Sequence, residues 1–240
     1  MSAGKSEGVK NACKLALLML GSLGALGAAR ADVISLDFEG VAPYPNDNDV
    51  LIQGFYNGGT SSIGTSGPNY GIEFSPNSLL ICLNSTTVVC SNTSRGGQAP
   101  DSDEGALFFL TGSDSIMNVA AGFTTGFSFN YTANRVPGSV GVYDDLNGTG
   151  NLLATLNLPV NSTGCPDYIA GFCPFFPVGV AFTGTARSVS FAGVANEIVF
   201  DDITFGSDTP GPGPVPEPGS LALLCLGLAG LGLSRRRKAN

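Results

Sequence analysis

The chain has 240 residues, 34 glycines, no histidine, no tryptophan and a formal net charge of −8. Residues 32–214 hold three arginines (Arg95, Arg135, Arg187), no lysine and 17 acidic residues, a net −14, while the other eight cations sit in the two ends. A surface this acidic repels nucleic-acid backbones and anionic lipid, and the missing histidine excludes Ser-His-Asp, Cys-His and ordinary zinc-hydrolase chemistry.

At the N-terminus Lys5, Lys10 and Lys14 precede an apolar stretch, 15–28, and the small-residue site Ala29-Arg30-Ala31. This reads as a secretory signal peptide over 1–31, a helix removed before Asp32. Residues 32–206 then form short alternating or apolar runs broken by Gly, Asn, Pro and Ser, with no sustained helical period;. Strands are expected at 33–38, 50–56, 70–74, 79–83, 106–110 and 116–120, and again at 123–131, 139–143, 152–158, 178–182, 187–191 and 197–205. In 123–131 the alternation puts Phe123, Phe127, Phe129 and Tyr131 on a buried face and Thr124, Ser128 and Asn130 on a solvent face. A dozen strands with tight turns predict an all-β fold, two packed antiparallel sheets of jelly-roll type. The loops 57–69 and 91–104 are the longest gaps between strands and the places where loop-borne binding is expected.

Cys13 leaves with the signal peptide and Cys225 lies in the apolar tail. The remaining four form two pairs of equal spacing, Cys82 with Cys90 and Cys165 with Cys173. In an exported chain these predict two local disulfides, each closing a short loop worth about 2.5 kcal/mol in the chain-entropy model. Without histidine or CxxC spacing, zinc is disfavoured.

The carboxylates Asp101, Asp103, Glu104, Asp144, Asp145, Asp201 and Asp202 all neighbour turn residues and are expected to be solvated, so no enzyme is expected. A secreted glycan-active enzyme using a carboxylate pair is the alternative. The run from Asp144 to Gly150 begins like an EF-hand but lacks the later glutamate, and reads as a hairpin turn in which Asn147-Gly148 supplies positive φ. Asn84, Asn92, Asn130, Asn147 and Asn161 each open an Asn-x-Ser/Thr sequon.

The opening Phe38-Glu39-Gly40 and the closing Phe200-Asp201-Asp202-Ile203 resemble the first and last strands of jelly-roll, lectin-like carbohydrate-binding modules. The resemblance implies a structural Ca²⁺ held by Glu39 with Asp201 or Asp202. It also implies glycan binding, for which Tyr44, Tyr56, Tyr70, Tyr131, Tyr143 and Tyr168 would have to stand in for tryptophan; Phe175 and Phe176 are a further aromatic surface, with core packing the role expected of them. Ile198 and Phe200 differ in parity from Ile203 and Phe205, so a β-bulge is expected at Asp201-Asp202.

Residues 207–214, with alternating Pro and Gly, are expected to be a linker holding the domain off the membrane. Residues 215–240 place Pro216-Glu217-Pro218 before the apolar run 221–233 and the cations Arg235, Arg236, Arg237 and Lys238. That run makes a transmembrane helix of only about 20 Å, a poor permanent anchor but a serviceable stop-transfer. Motif, helix and basic end resemble the PEP-CTERM sorting signal of Gram-negative bacteria, a segment also called the ice-binding protein C-terminal domain. The resemblance implies exosortase as processing partner, and a location that passes from transient membrane anchorage to the outer surface or an exopolysaccharide matrix. Taken together, the sequence predicts an exported, non-enzymatic β-sandwich with exopolysaccharide or another glycan as partner. Ice binding ranks lower, because no regular Thr-x-Thr repeat is present.

Overall fold

The computed structural model describes residues 33–42, 49–83, 105–164 and 171–211. The chain divides into two units, Met1–Ala31 and Asp32–Asn240, and every described residue belongs to the second. The expected signal helix, the apolar tail with Pro216, Glu217 and Pro218, the loop 91–104, Cys90 and Cys165 lie outside the described residues. No helix among the described residues is long and apolar enough to cross a membrane.

Alternation and turn chemistry produce twelve strands among the described residues: β1 (Ile34–Leu36), β2 (Val50–Leu51), β3 (Ile72–Phe74), β4 (Leu79–Cys82), β5 (Gly105–Phe108), β6 (Asp114–Phe123), β7 (Gly126–Ala133), β8 (Gly138–Tyr143), β9 (Leu152–Leu158), β10 (Phe176–Ala181), β11 (Ala186–Ala192) and β12 (Ile198–Phe205). One sheet has seven strands in the order β10-β7-β12-β5-β4-β2, with β1 also paired to β12, and the other has five in the order β3-β6-β11-β8-β9. All pairings are antiparallel, and the last eight strands nest as β5 with β12, β6 with β11, β7 with β10 and β8 with β9. This is a long hairpin rolled into a sandwich, the jelly-roll arrangement.

The inner faces meet in an aromatic core. Phe191 of the five-stranded sheet lies 4.8 Å, ring to ring, from Phe200 and 6.0 Å from Phe129 of the seven-stranded sheet. A second buried cluster, Ile81, Leu83, Ala106, Phe108, Phe172 and Val199, builds on the outer face of the seven-stranded sheet. Both faces of β7 and β12 are therefore buried along their whole length.

Three expectations need correction. The run 123–131 is not one strand: Thr125, at φ 77°, closes a turn that puts Phe123 in β6 and Phe127 in β7. Their rings still meet, 5.9 Å apart, because facing strands of a sandwich share one core. The strand expected at 50–56 ends at Leu51, since Gln53 adopts φ 51° and residues 53–56 turn. Finally, residues 207–211 are not a free spacer but pack against the sandwich, with Ser128 Oγ donating to the Ser207 carbonyl at 3.0 Å.

Candidate functional site

The closing strand carries the expected bulge: the β12 register against β7 shifts between Asp201 and Thr204, and Asp202 takes φ 47°. Aspartate tolerates this left-handed conformation better than most residues. Asp201 and Asp202 are not solvated turn residues. They are 0% and 2% exposed, because β12 lies inside its sheet, flanked by β7 on one side and by β5 and β1 on the other. Asn130 Nδ2 donates to Asp202 Oδ2 at 2.9 Å, and the Asp202 amide donates to Asp201 Oδ1 at 2.8 Å.

The opening strand brings its carboxylates to the same region. The Gly105 amide donates to Glu39 Oε1 at 2.8 Å, and the Phe38 amide donates to the buried Tyr56 hydroxyl at 3.1 Å. Burial pushes the Tyr56 hydroxyl well above the usual phenol range, and Asp37, then Asp201 and Glu39, push it further, while the Phe38 bond opposes them. Carboxylates from both ends of the domain thus act electrostatically on one phenol. Calcium takes roughly six to eight oxygen ligands. Among the described residues, no group of three or more His, Cys, Asp or Glu side chains is placed to hold a metal ion, so these residues alone do not fit a closed calcium cage.

A second place is concave. At the open side of the sandwich, where edge strands β9 and β10 approach, a cleft of about 530 Å³ is lined by Tyr131, Asn157, Pro159, Asn161, Phe176 and Val178. Phe176 is 44% exposed, because β10 has no strand beyond it, whereas its neighbour Phe175 packs against the second core. The Tyr131 hydroxyl donates to the Pro159 carbonyl at 3.3 Å, and Asn161 is locked by the Ala133 amide at 2.7 Å and the Tyr131 carbonyl at 3.3 Å. The walls are mostly apolar and free of charged side chains, with the exposed Asn157 amide at the rim. Tyr131 and Phe176 were readable as aromatic candidates. Pro159 and Asn161 were not, since only the fold brings the segment after β9 against β7.

The remaining candidates fall elsewhere. Asp144 accepts from the Asn151 amide at 2.6 Å and from Asn151 Nδ2 at 2.8 Å, and these bonds hold its carboxyl below the usual range. Asn147 and Gly148 have φ 59° and 67° in the turn between β8 and β9, as expected. Of the sequons, Asn130 is buried on Asp202 and Asn161 is locked in the cleft wall. Cys82 and Cys173 are each disulfide-bonded. The stretch 57–69 folds on itself through the bridges Asn57 to Asn69 and Thr60 to Ser66.

Residues 214–238 match the PEP-CTERM protein-sorting motif. No curated protein matches the chain. Among solved structures, the chain is similar to the K2 cleaved adhesin domain of Lys-gingipain (Kgp), with 9% identity and a TM-score of 0.40 over 72% of this chain and 98% of that one. It is also similar to the K3 cleaved adhesin domain of Lys-gingipain from Porphyromonas gingivalis W83, with 14% identity and a TM-score of 0.33 over 73% and 98%. A glycoside hydrolase family 43 arabinoxylan arabinofuranohydrolase from Bacillus subtilis gives 16% identity and a TM-score of 0.35, over 61% of this chain and 30% of that chain.

Proposed function

We propose that this chain is an exported, non-enzymatic β-sandwich protein of the outer surface or exopolysaccharide matrix, sorted through its tail by exosortase, whose sandwich holds a neutral glycan in the cleft between β9 and β10. The observation that carries the reading is the sorting motif at 214–238, joined directly to a jelly roll. Motif and sandwich together make an export substrate with a built domain as its cargo. The cleft supports the glycan part: a sugar ring presents an apolar face suited to the Phe176 ring and hydroxyls suited to the Asn157 amide, and a neutral ligand avoids the repulsion of a −14 domain;. A structural Ca²⁺ on Glu39 with Asp201 or Asp202 belongs to the same reading. It is motivated by a −14 domain whose first and last strands pair and carry carboxylates, and it needs oxygen ligands in addition to these side chains;.

The test replaces Pro216, Glu217 and Pro218 with alanine. Unprocessed precursor is expected in the membrane fraction, and normal processing and release would overturn the sorting reading. Glycan-array binding followed by a product assay separates binding from the rival glycan-active enzyme.

A further inference from the structure

The last strand does not release the chain into solvent. After Phe205 the backbone turns at Gly206, whose amide donates to the Gly126 carbonyl at 3.0 Å and whose carbonyl accepts from Thr125 Oγ1 at 2.8 Å. It then crosses the outer face of the seven-stranded sheet. Ser128 Oγ donates to the Ser207 carbonyl at 3.0 Å, and the Gly211 amide returns to Thr204 Oγ1 at 3.2 Å. Ser128 and Thr204 are cross-strand partners facing outward, yet both are 0% exposed.

The sheet beneath is cut to fit. A Cβ on Gly126 would stand 2.6 Å from the Asp208 amide nitrogen, and one on Gly179 would stand 2.0 Å from the Asp208 carbonyl oxygen. Residues 206–211 therefore lie in a trench of small residues supplied by β7, β10 and β12. These strands come together only when the jelly roll is complete. The segment is docked at least as far as Gly211, and four residues separate Gly211 from Pro216. Fully extended, the chain from Gly211 to Pro216 spans at most about 17 Å.

We propose that residues 206–211 are a strap that guards a cleavage junction: docked, they tie the root of the sorting tail to the folded sandwich, and a protease cutting at or before Pro216-Glu217-Pro218 must first peel them away. The reading that the tail is processed in the cell comes from the proposed function; the shielding itself rests on the docked geometry. The step that is shielded is hydrolysis, in which the peptide bond breaks, water's hydroxyl goes to the carbonyl carbon and its proton to the leaving amine. A protease holds its substrate extended in a groove, and four residues beside a folded sheet leave little room on the domain side of the cut. Where opening precedes cutting, the rate follows the open fraction.

The test uses the full chain with Ser128→Ala, which removes one hydrogen bond and adds no atoms, and Gly179→Ala, which displaces the strap. A third variant inserts about eight Gly/Ser residues after Pro214 and lengthens the tether with the strap intact. Thermal melts establish that each variant is folded. Brief digestion with proteinase K, read by mass spectrometry for cuts within 206–218, is expected to speed up about fivefold in Ser128→Ala and more in Gly179→Ala. In cells, all three variants are expected to lose the tail faster than the parent. Equal digestion rates in the parent and the two strap variants would overturn the strap. Faster digestion in vitro with no tail loss from any chain in cells would refute the sorting reading and leave the strap standing. Cellular processing at one rate in all four chains would overturn the gating.

Discussion

At the residue scale the least ordinary position is Asp202, buried at φ 47° with its carboxylate accepting from Asn130. A buried carboxylate costs free energy unless it is bonded, and a side chain at positive φ costs more unless it is Asp, Asn or Gly. Both conditions select this residue. Asp202→Ala is expected to destabilise the domain by about 2–3 kcal/mol, from the lost hydrogen bond, the stranded Asn130 amide and the strained backbone. Asp202→Asn keeps the backbone tolerance and an oxygen for Asn130, and is expected to cost about 1 kcal/mol or less. Urea unfolding of the three proteins checks this, and an alanine variant as stable as the parent would show that the bulge does not depend on the side chain. The bulge itself was readable, because the inward parity of Ile198 and Phe200 changes to that of Ile203 and Phe205. The burial was not, since two consecutive aspartates have the composition of a solvated turn even where the flanking pattern is a strand.

The elements follow the same division. All twelve strands were legible because hydrophobic alternation and Gly/Asn/Pro punctuation report period and turns directly. Two things were not. Ser128 and Asn130 read as part of a solvent face, yet they are 0% and 7% exposed, because cover for a sheet comes from distant sequence. Residues 206–211 likewise carry linker composition, and only the glycine trench at Gly126 and Gly179 makes them part of the fold. The pairing of first and last strands frames a test of calcium. Ile34 pairs with Phe205 and Leu36 with Ile203, so a cation shared by Glu39 and Asp201 would clamp the short first strand to the last;. If it binds, free Ca²⁺ at a hundred times its Kd adds about 2.7 kcal/mol, seen as a higher Tm in calcium than in chelator. Glu39→Gln and Asp201→Asn are expected to abolish the difference. An unchanged Tm in the parent protein would end the proposal.

For the whole molecule, the sandwich separates what holds it together from what faces outward. Phe191 sits at the centre of the core, fully buried and within about 6 Å, ring to ring, of Phe127, Phe129 and Phe200 of the opposite sheet. Removing such a ring costs about 3–5 kcal/mol, a large share of the roughly 5–15 kcal/mol that keeps a domain folded. Phe176 is the contrasting case: on the edge strand β10, 44% exposed, it contributes a ring to the cleft wall and little to the core. Phe191→Ala is therefore expected to lower Tm by about 10 °C. Phe176→Ala should change stability by less than about 1 kcal/mol. Glycan binding is expected to move the other way. On an array of neutral oligosaccharides read below both melting temperatures, Phe176→Ala loses the signal, because stacking against the ring is the cleft's main apolar contact. Phe191→Ala keeps it, since the rings and amides of the cleft are fixed by β7, β10 and the Asn161 bonds rather than by the core centre. Undiminished binding by Phe176→Ala would place the glycan elsewhere on the sandwich. Equal loss in both variants would mean that cleft and core are one cooperative unit, against the division argued from their burial.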